Sequence, residues 1–323
     1  MNEIKWGIIG CGDVTEVKSG PAFNKIANSQ LVAVMRRDAA KAADYAKRHG
    51  VPKWYSNAID LINDPEVNAI YIATPPLQHE EYTVAALAAG KPVYVEKPMA
   101  LNSAAAERMG NASQTHGVKL VVAHYRRAQP LFLKIKSLLD EKVIGEIRFV
   151  DLKMLQPDAS EIIANSEENW RVNPAISGGG LFHDLAPHQL DLMLYYFGEA
   201  KNFHGLAIKQ DVSAPVADLV TGHIEFANGI VFNGLWCFSA PKSEQADCCD
   251  IFGSKGKISF SVFGQHIKVN MEGKEEILNF EPLPHVEQPM IAQVVSYFRG
   301  QGENPCAAEE ALKTMRIIDA FTN

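Results

Sequence analysis

Two short stretches of the chain carry residues suited to proton and hydride chemistry. The stretch "EKP" places Glu96 and Lys97 directly after a hydrophobic, strand-like run, where charged side chains are uncommon without a partner or a task. The stretch "DLAPHQLD" supplies Asp184, His188 and Asp191 at positions i, i+4 and i+7, which share one face of a helix. A histidine between two carboxylates can be oriented by them, and its pKa raised towards neutrality, so that it exchanges a proton with a hydroxyl group.

Other interpretations of this helical cluster stay open at the level of sequence. Aspartate and histidine at these offsets also ligate zinc, but no third-ligand signature lies nearby, so we predict no metal site. A capping aspartate and a hydrogen-bonded structural histidine are the other alternative. His183 is adjacent to Asp184 and should point elsewhere, and Pro187 fits only if the helix begins near it or tolerates a kink.

A glycine-containing turn near the N-terminus predicts a phosphate-binding loop. In "IIGCGDVT", Gly10 and Gly12 follow the first strand, where glycine allows a tight turn and close approach of the backbone to a pyrophosphate. Asp13 and Val14 begin the helix whose N-terminus favours the phosphate charge. The pattern is incomplete because Thr15 occupies the third glycine position, and "SGP" directly after this helix should keep it short.

The end of the second predicted strand bears on the choice of dinucleotide. Arg36 and Arg37 stand where an NAD site usually places an acid for the ribose 2′-hydroxyl, and two cations suit a 2′-phosphate. Asp38 is either that acid or the N-cap of a helix that starts at the next residue. We therefore expect NADP, with NAD as the alternative.

The first part of the chain alternates strand and helix signals. Apolar runs at 5–10, 31–35, 69–74, 92–97 and 119–124 are separated by segments with helical spacing, two of which end at a glycine. This alternation predicts a parallel sheet covered on both faces, with ligands at the carboxyl ends of its strands, where Lys97 lies. We predict a dinucleotide-binding domain over residues 1–123.

The pattern changes after residue 124. A helical stretch at 130–145 and another near 180–197 are followed by consecutive strand-like runs, and Asn228-Gly229 between two of them is typical of a hairpin turn. We therefore predict a second α/β domain over 124–323 with an open, mainly antiparallel sheet. An amphipathic C-terminal helix at 309–321 either completes this domain or packs back on the first one.

The composition of the chain argues against several classes of protein. A net charge of −7 argues against general nucleic-acid binding, and no apolar run approaches the length of a membrane span. The N-terminus shows no secretion signal, so we expect a cytoplasmic protein. Five cysteines without a C-x-x-C spacing indicate neither a disulfide framework nor a zinc site.

The motifs together resemble a known family. G-x-G after the first strand, "EKP" after a later one, and G-G-G-x-x-x-D-x-x-x-H are similar to those of the glucose–fructose oxidoreductase / inositol dehydrogenase / rhizopine-catabolism (Gfo/Idh/MocA) family. The likeness extends over nearly the whole chain, including "TPPLQHEEYTVAALAAGKPVYVEKPMA" and "NWRVNPAISGGGLFHD". It implies a Rossmann domain, a second domain with an open sheet, and a homodimer or homotetramer formed through that sheet.

The resemblance also implies an activity and roles for individual residues. The activity is reversible hydride transfer between a nicotinamide and a hydroxyl-bearing carbon of a sugar, cyclitol or polyol. Lys97 matches the family's active-site lysine, and Asp184 and His188 match its acid/histidine pair. Our hypothesis is that His188 accepts the hydroxyl proton during oxidation, that Lys97 polarises the oxygen or relays the proton, and that Asp184 orients these groups. The roles of the lysine and the histidine are exchangeable.

The same resemblance assigns further contacts. Thr74, Pro75, His79 and Glu96 are expected beside the cofactor, and Tyr125, Arg126, Trp170 and Arg171 in the substrate pocket. The two arginines either bind a carboxylate or sugar oxygens, or pair with acids at the domain junction.

Two rival functions occur among such proteins: a glycosidase that uses NAD as an internal redox catalyst, and a non-catalytic NAD(P)-binding regulator. Arg36 and Arg37 disfavour the glycosidase, because they suit NADP. The complete set of Lys97, Asp184 and His188 disfavours the regulator, because a sensor needs no proton transfer.

Overall fold

The structure is a computed structural model that describes residues 1–157, 170–211 and 214–323. Asn169, the first residue of the "NWRVNPAISGGGLFHD" motif, lies outside the described residues, whereas Trp170 and the remainder of the motif lie within them.

The first 122 residues contribute six strands: β1 Ile4–Ile9, β2 Ser29–Met35, β3 Lys53–Tyr55, β4 Ala69–Ile72, β5 Val93–Val95 and β6 Leu120–Val122. They form one parallel sheet in the order β3-β2-β1-β4-β5-β6. Five of them coincide with the predicted apolar runs. The edge strand β3 was not predicted, because its three residues are half-buried or exposed and form no apolar run.

Five helices connect these strands: α1 Asp13–Val17, α2 Ala39–His49, α3 Ala58–Ile62, α4 His79–Ala88 and α5 Ser103–His116. Helix α1 is short, as predicted, and a 3-10 turn at Gly20–Lys25 follows it. Gly50 and Gly90 follow α2 and α4 with φ of +65° and +74°, the left-handed conformation that ends a helix.

The sheet order reverses between β1 and β4, so the chain leaves these neighbouring strands in opposite directions. Such a switch point opens a crevice at the carboxyl ends of the strands. Gly10 lies there with φ of +96°, and a Cβ added to it would lie 2.7 Å from the backbone nitrogen of Thr74. Only glycine therefore allows the loops after β1 and β4 to approach this closely.

The second sheet has eight strands: β7 Ile147–Leu155, β8 Ala200–Ile208, β9 Leu219–Phe226, β10 Val231–Cys237, β11 Ala246–Gly253, β12 Gly256–Phe260, β13 His266–Met271 and β14 Lys274–Asn279. Their order is β14-β13-β12-β11-β7-β10-β9-β8. Every pairing is antiparallel except β7 with β10. The predicted open, mainly antiparallel sheet is confirmed, and Gly229 turns the β9–β10 hairpin with φ of +84°.

Five further helices complete the described chain: α6 Pro130–Asp140, α7 Pro174–Ser177, α8 Leu181–Phe197, α9 Gln288–Phe298 and α10 Ala308–Thr322. Helix α8 is almost entirely buried and continues through Pro187, so the helix tolerates this proline in its interior. It is tied to the second sheet by a 2.9 Å hydrogen bond from Trp236 to Gln189. No helix in the described parts of the chain is long and apolar enough to cross a membrane.

The C-terminal helix α10 contacts both α5 and β8. Asp319 accepts a 2.8 Å hydrogen bond from the backbone of Ser103, at the start of α5. On its other side, the Phe321 ring occupies the space that a side chain at Gly222 would need, since an added Cβ there would lie 2.1 Å from the ring. The division of the chain into domains at residue 123 stays a prediction.

Candidate active site

A cavity of about 430 Å³ opens beyond the carboxyl ends of β1, β4 and β5 and reaches α8. Segments distant in sequence meet in its walls. The predicted site residues in these walls are Gly10, Gly12, Asp13, Val14, Arg36, Arg37, Thr74, Pro75, Glu96, Lys97, Tyr125, Trp170, Arg171, Asp184 and His188. His79 and Arg126 do not line this cavity.

The glycine turn is held against the second strand. The backbone nitrogens of Gly10 and Cys11 donate to the carbonyl of Met35 at 2.9 and 3.1 Å. Gly12 precedes α1 in an extended conformation, and a Cβ there would have only the Gly10 carbonyl within 4 Å. The turn thus leaves open space in front of a helix N-terminus, which fits a pyrophosphate.

The missing third glycine has a structural substitute. Thr15 is fully buried, its hydroxyl donates to the Gly12 carbonyl at 2.8 Å, and its own carbonyl accepts from Tyr45 at 2.8 Å. A Cβ at Gly20 would lie 2.2 Å from that carbonyl. Gly20 therefore provides the close packing for which a third glycine would otherwise be needed.

The groups after β2 lie at the far end of the cavity. Arg36, Arg37, Asp38 and Lys41 all line it. The Asp38 carboxylate accepts a 3.1 Å hydrogen bond from the Lys41 backbone and so caps α2, as the capping interpretation predicts. One oxygen of the Asp38 carboxylate is therefore engaged in the cap.

A three-membered ion cluster joins β5 to α8. Lys97 donates from Nζ to Asp184 Oδ1 at 2.7 Å and to the Asp184 carbonyl at 2.9 Å. Arg171 donates from Nε to the other carboxylate oxygen at 2.8 Å, and its guanidinium lies 4.4 Å from the centre of the Trp170 ring. Burial alone would raise the pKa of Asp184, but Lys97 and Arg171 outweigh it and hold the pKa well below its usual range.

The environment of His188 differs from the sequence expectation. Its ring lies edge-on to Tyr125 and Phe263, with centroids 5.2 and 5.8 Å away, and its Nδ1 has no hydrogen-bond partner within the described chain. Burial lowers the pKa of His188 well below its ordinary value, and the charges of Lys97 and Arg126 act in the same direction. The predicted rise in its pKa is wrong, because the carboxylates one turn away are engaged by other cations.

Asp191, the third member of the helical face, is a structural residue. Its two carboxylate oxygens accept hydrogen bonds from Arg127 at 2.8 Å each, and His124 lies 3.6 Å away. Arg127 also pairs with Glu310 of α10. This buried pair anchors α8 to the turn after β6 and does not reach the cavity.

A pair of buried carboxyl groups, Glu96 and Glu287, lies beside Lys97. Glu96 accepts a 2.6 Å hydrogen bond from Tyr71, and the hydroxyls of Tyr71 and Tyr94 lie 3.5 and 3.4 Å from Glu287. Burial raises the pKa of Glu96, although the Lys97 ammonium opposes the shift. Burial and the Glu96 charge raise the pKa of Glu287 well above its usual range, so the pair retains a proton.

Lys18, Phe263 and Glu287 are among the residues of the cavity wall that sequence reasoning missed. None of the three stands in a motif, and Glu287 is 193 residues from Tyr94, one of the two tyrosines near it. The backbone nitrogen of Glu287 donates to the Lys18 carbonyl at 3.3 Å, a contact that no local pattern in the sequence encodes.

The two predicted residues outside the cavity have different environments. His79 is fully buried, and its ring nitrogens lie 3.0 Å from the Pro98 carbonyl and 2.7 Å from the Thr74 carbonyl. It therefore holds the loops after β4 and β5 together rather than facing a ligand. Burial lowers the pKa of His79 to about 4. Arg126 lines a second cavity that adjoins the first.

Comparison with known proteins identifies the family. Residues 4–124 match a model described as "Oxidoreductase family, NAD-binding Rossmann fold", and residues 132–259 match the "GFO/IDH/MocA C-terminal domain". The chain belongs to the GFO/IDH/MocA oxidoreductase family. The family resemblance predicted from the sequence is confirmed, and the protein is an NAD(P)-dependent dehydrogenase or reductase.

Individual relatives cover most of the chain. "Oxidoreductase P35" of Formosa agariphila is 48% identical over 320 residues, which are 99% of this chain and 98% of that protein. The trans-1,2-dihydrobenzene-1,2-diol dehydrogenase of Oryctolagus cuniculus is 30% identical over 77% of this chain and 71% of its own. A solved levoglucosan dehydrogenase, in complex with NADH and levoglucosan, has the same fold, with a TM-score of 0.85 at 22% identity over 99% of this chain and 96% of its own.

The described residues contain no group of three or more histidine, cysteine, aspartate or glutamate side chains that could hold a metal ion. Two carboxylates of the cavity wall have other partners: Asp184 is engaged by Lys97 and Arg171, and Glu96 by a tyrosine hydroxyl.

The Asp184 cluster predicts a specific pH dependence of stability. The pKa of Asp184 is lower in the folded than in the unfolded chain, so the carboxylate stabilises the fold fully above the unfolded pKa of about 4. That contribution is lost as the pH falls below this value. We expect the free energy of unfolding of Asp184→Asn to lie below that of the wild type near pH 6, with the difference shrinking towards pH 2. Urea unfolding at several pH values measures this.

Asp140→Asn is the matched control, because this carboxylate is exposed and pairs only with Lys136 one turn away. Its free energy of unfolding should stay close to the wild type at every pH. A difference for Asp184→Asn that stays constant with pH would contradict the assigned charge state.

Proposed function

We propose that the protein oxidises a hydroxyl-bearing carbon of a sugar, cyclitol or polyol, or reduces the corresponding carbonyl, with NADP as cofactor. The single observation that carries this proposal is that Lys97, Asp184, His188 and the Gly10 turn line one cavity. An ammonium, a histidine and a dinucleotide-binding turn are the groups that hydride transfer at a carbinol needs.

Lys97 is suited to the reacting oxygen. An ammonium has three N–H donors, and Asp184 accepts from Lys97 Nζ through two of its oxygens. Among the described residues no acceptor engages the third donor, which is left for a substrate oxygen. The ammonium stabilises negative charge that develops on that oxygen, and Asp184 orients the lysine side chain.

His188 is suited to the proton. With its pKa lowered by burial, the imidazole is neutral at neutral pH and has a nitrogen lone pair with which to accept the hydroxyl proton during oxidation. In the reducing direction the same nitrogen returns the proton. A dinucleotide whose pyrophosphate the Gly10 turn holds would supply the hydride chemistry through its nicotinamide.

The cations after β2 support NADP. Arg36, Arg37 and Lys41 line the end of the cavity at which a dinucleotide bound across the Gly10 turn places its adenosine ribose. Asp38, the acid that follows these arginines in the sequence, caps α2. The solved levoglucosan dehydrogenase binds NADH, which keeps NAD as the alternative.

One face of the second sheet supports association into a homodimer or homotetramer. Leu206 and Val231 are 56% and 39% exposed, and Phe149, which is 40% exposed, stacks on Phe252 with ring centroids 4.4 Å apart. Large apolar side chains exposed on an uncovered sheet face are typical of a protein interface.

Light scattering of the full chain tests the association. We expect a mass of two or four chains, and Leu206→Lys should reduce it towards that of one chain, because a lysine on this face cannot be buried without a partner. The control Lys201→Ala lies on the same strand and pairs at the surface with Glu225. A wild-type protein with the mass of one chain at micromolar concentration would contradict the assembly.

Lys97→Met tests the catalytic assignment, because methionine keeps the length of the side chain and removes its charge. We expect kcat to fall by roughly 100-fold or more, the size of effect seen when a donor to a developing oxyanion is removed. The dissociation constant of NADPH should change little. Absorbance of NAD(P)H with a panel of aldoses and polyols measures turnover, and fluorescence titration measures cofactor binding.

Lys91→Met is the matched control, because Lys91 donates at 2.7 Å to the Asp64 carbonyl, away from the cavity. It should keep wild-type turnover. Full turnover of Lys97→Met would remove the lysine from the mechanism, and sugar release without net change in NAD(P)H would indicate a glycosidase instead.

Arg37→Ser tests the choice of dinucleotide. Loss of a charge-assisted bond to a 2′-phosphate should raise the dissociation constant of NADPH roughly 10- to 100-fold. The dissociation constant of NADH should stay within a few-fold of the wild-type value, since the adenosine ribose of NADH carries no 2′-phosphate. Arg148→Ser, an exposed arginine on the second sheet, is the control. Equal weakening of both dinucleotides by Arg37→Ser would contradict NADP preference.

A further inference from the structure

A second cavity of about 380 Å³ adjoins the candidate active site. The two share Lys18, Tyr125 and Phe263 in their walls. Tyr125 and Phe263 also flank the His188 ring, so the second cavity begins next to the place where a substrate would face His188. A ligand held at the active site can therefore extend into it.

Arg126 is the main charged group of this second cavity. The residue is only 8% exposed, and its Nε is buried without a hydrogen-bond partner. Its guanidinium carbon lies 4.3 Å from the centre of the Phe263 ring and 5.6 Å from those of Phe132 and Tyr125. Three aromatic rings thus surround the cation, and within the described chain no carboxylate forms an ion pair with it.

The other two buried arginines of this region, Arg127 and Arg171, are each paired with a carboxylate. Arg127 is held by both oxygens of Asp191, and Arg171 by Asp184. Burying a charge is unfavourable unless an opposite charge or hydrogen bonds compensate it. Arg126 has neither from the described residues, so an anionic ligand in the cavity would compensate its charge.

The other charges near Arg126 do not neutralise it. Asp247 is an acid whose charge acts on Arg126 without forming an ion pair with it. Its Oδ2 accepts from the Phe263 backbone at 2.7 Å, its buried Oδ1 has no hydrogen-bond partner within the described chain, and burial raises the pKa of its carboxyl. Glu281 lies in the cavity wall and is exposed to solvent. Lys18 adds a second cation to the same wall. The interior of the cavity therefore favours an anion.

We propose that the substrate carries an anionic group, a carboxylate or a phosphate ester, which Arg126 binds in the second cavity while the reacting carbinol lies between Lys97 and His188. The planar guanidinium fork matches two oxygens of either group, and the rings around it exclude water from the pair. This inference rests on the proposed function and narrows its substrate class to sugar acids or sugar phosphates.

Matched ligands test the inference on the NADPH-saturated enzyme, in which the phosphate-binding turn of the first cavity is already occupied. Calorimetry compares several aldoses, each with its uronate and its 6-phosphate. We expect at least one anionic member to bind about 10-fold or more tightly than its neutral partner, the gain typical of a charge-assisted pair. The uronate and phosphate arms distinguish the two anionic groups.

Arg126→Met keeps the apolar stem over Phe263 and should remove the anion preference, leaving the affinity for neutral sugars within about 3-fold. Arg126→Lys should retain part of the preference. Arg299→Met, whose guanidinium donates to the Asn2 carbonyl at the surface, is the control and should keep the preference in full. Circular dichroism checks that each variant is folded.

Equal binding of anionic and neutral members, no saturable binding by any anionic member, or a preference that survives in Arg126→Met would each overturn the inference. These outcomes are distinct from a failure of the proposed function. If the enzyme oxidises neutral sugars in a Lys97-dependent reaction and shows no anion preference, the dehydrogenase assignment stands and only the present inference is overturned. Anion binding without any NAD(P)H turnover across the panel would instead contradict the proposed reaction.

Discussion

The carboxylate of Asp184 is the interaction on which the arrangement of the site depends. It compensates two cations at once, the ammonium of Lys97 at the end of β5 and the guanidinium of Arg171 in the segment that precedes α8. Both cations are largely buried, and a buried charge is unfavourable unless an opposite charge compensates it. Because His188 lies one helical turn from Asp184, the same ion cluster sets the position of the imidazole relative to the lysine.

The charge distribution around this cluster is uneven. Lys18, Lys97 and Arg171 contribute positive charge to the cavity, and Asp184 contributes one negative charge. Glu96 and Glu287 retain a proton between them, so they cancel less of the remaining positive charge than two carboxylates would. A cavity with excess positive charge favours anionic ligands and stabilises negative charge that develops on a reacting oxygen. The phosphates of a dinucleotide and an oxyanion are both such groups.

The environment of His188 shows what a helical pattern in the sequence cannot predict, namely the partners that other segments supply. Helical spacing places Asp184, His188 and Asp191 on one face, and the structure agrees. Each carboxylate nevertheless bonds to a cation from another segment, Arg171 and Lys97 in one case and Arg127 in the other. A single helix specifies which way its side chains point, but the partners that shift a pKa come from whatever packs against that face.

The sequence by itself determined the elements and the chemistry-bearing motifs. Apolar runs, glycine stops and the Asn228-Gly229 turn are local signals, and they located five strands of the first sheet and the antiparallel character of the second. Motif position also placed most of the predicted site residues in one cavity. Only the tertiary structure decided the environment of each side chain. Glu287 is buried beside Glu96, His79 is buried between the loops after β4 and β5, and Arg126 lines a second cavity. These depend on contacts between residues far apart in the chain, and no local periodicity records them.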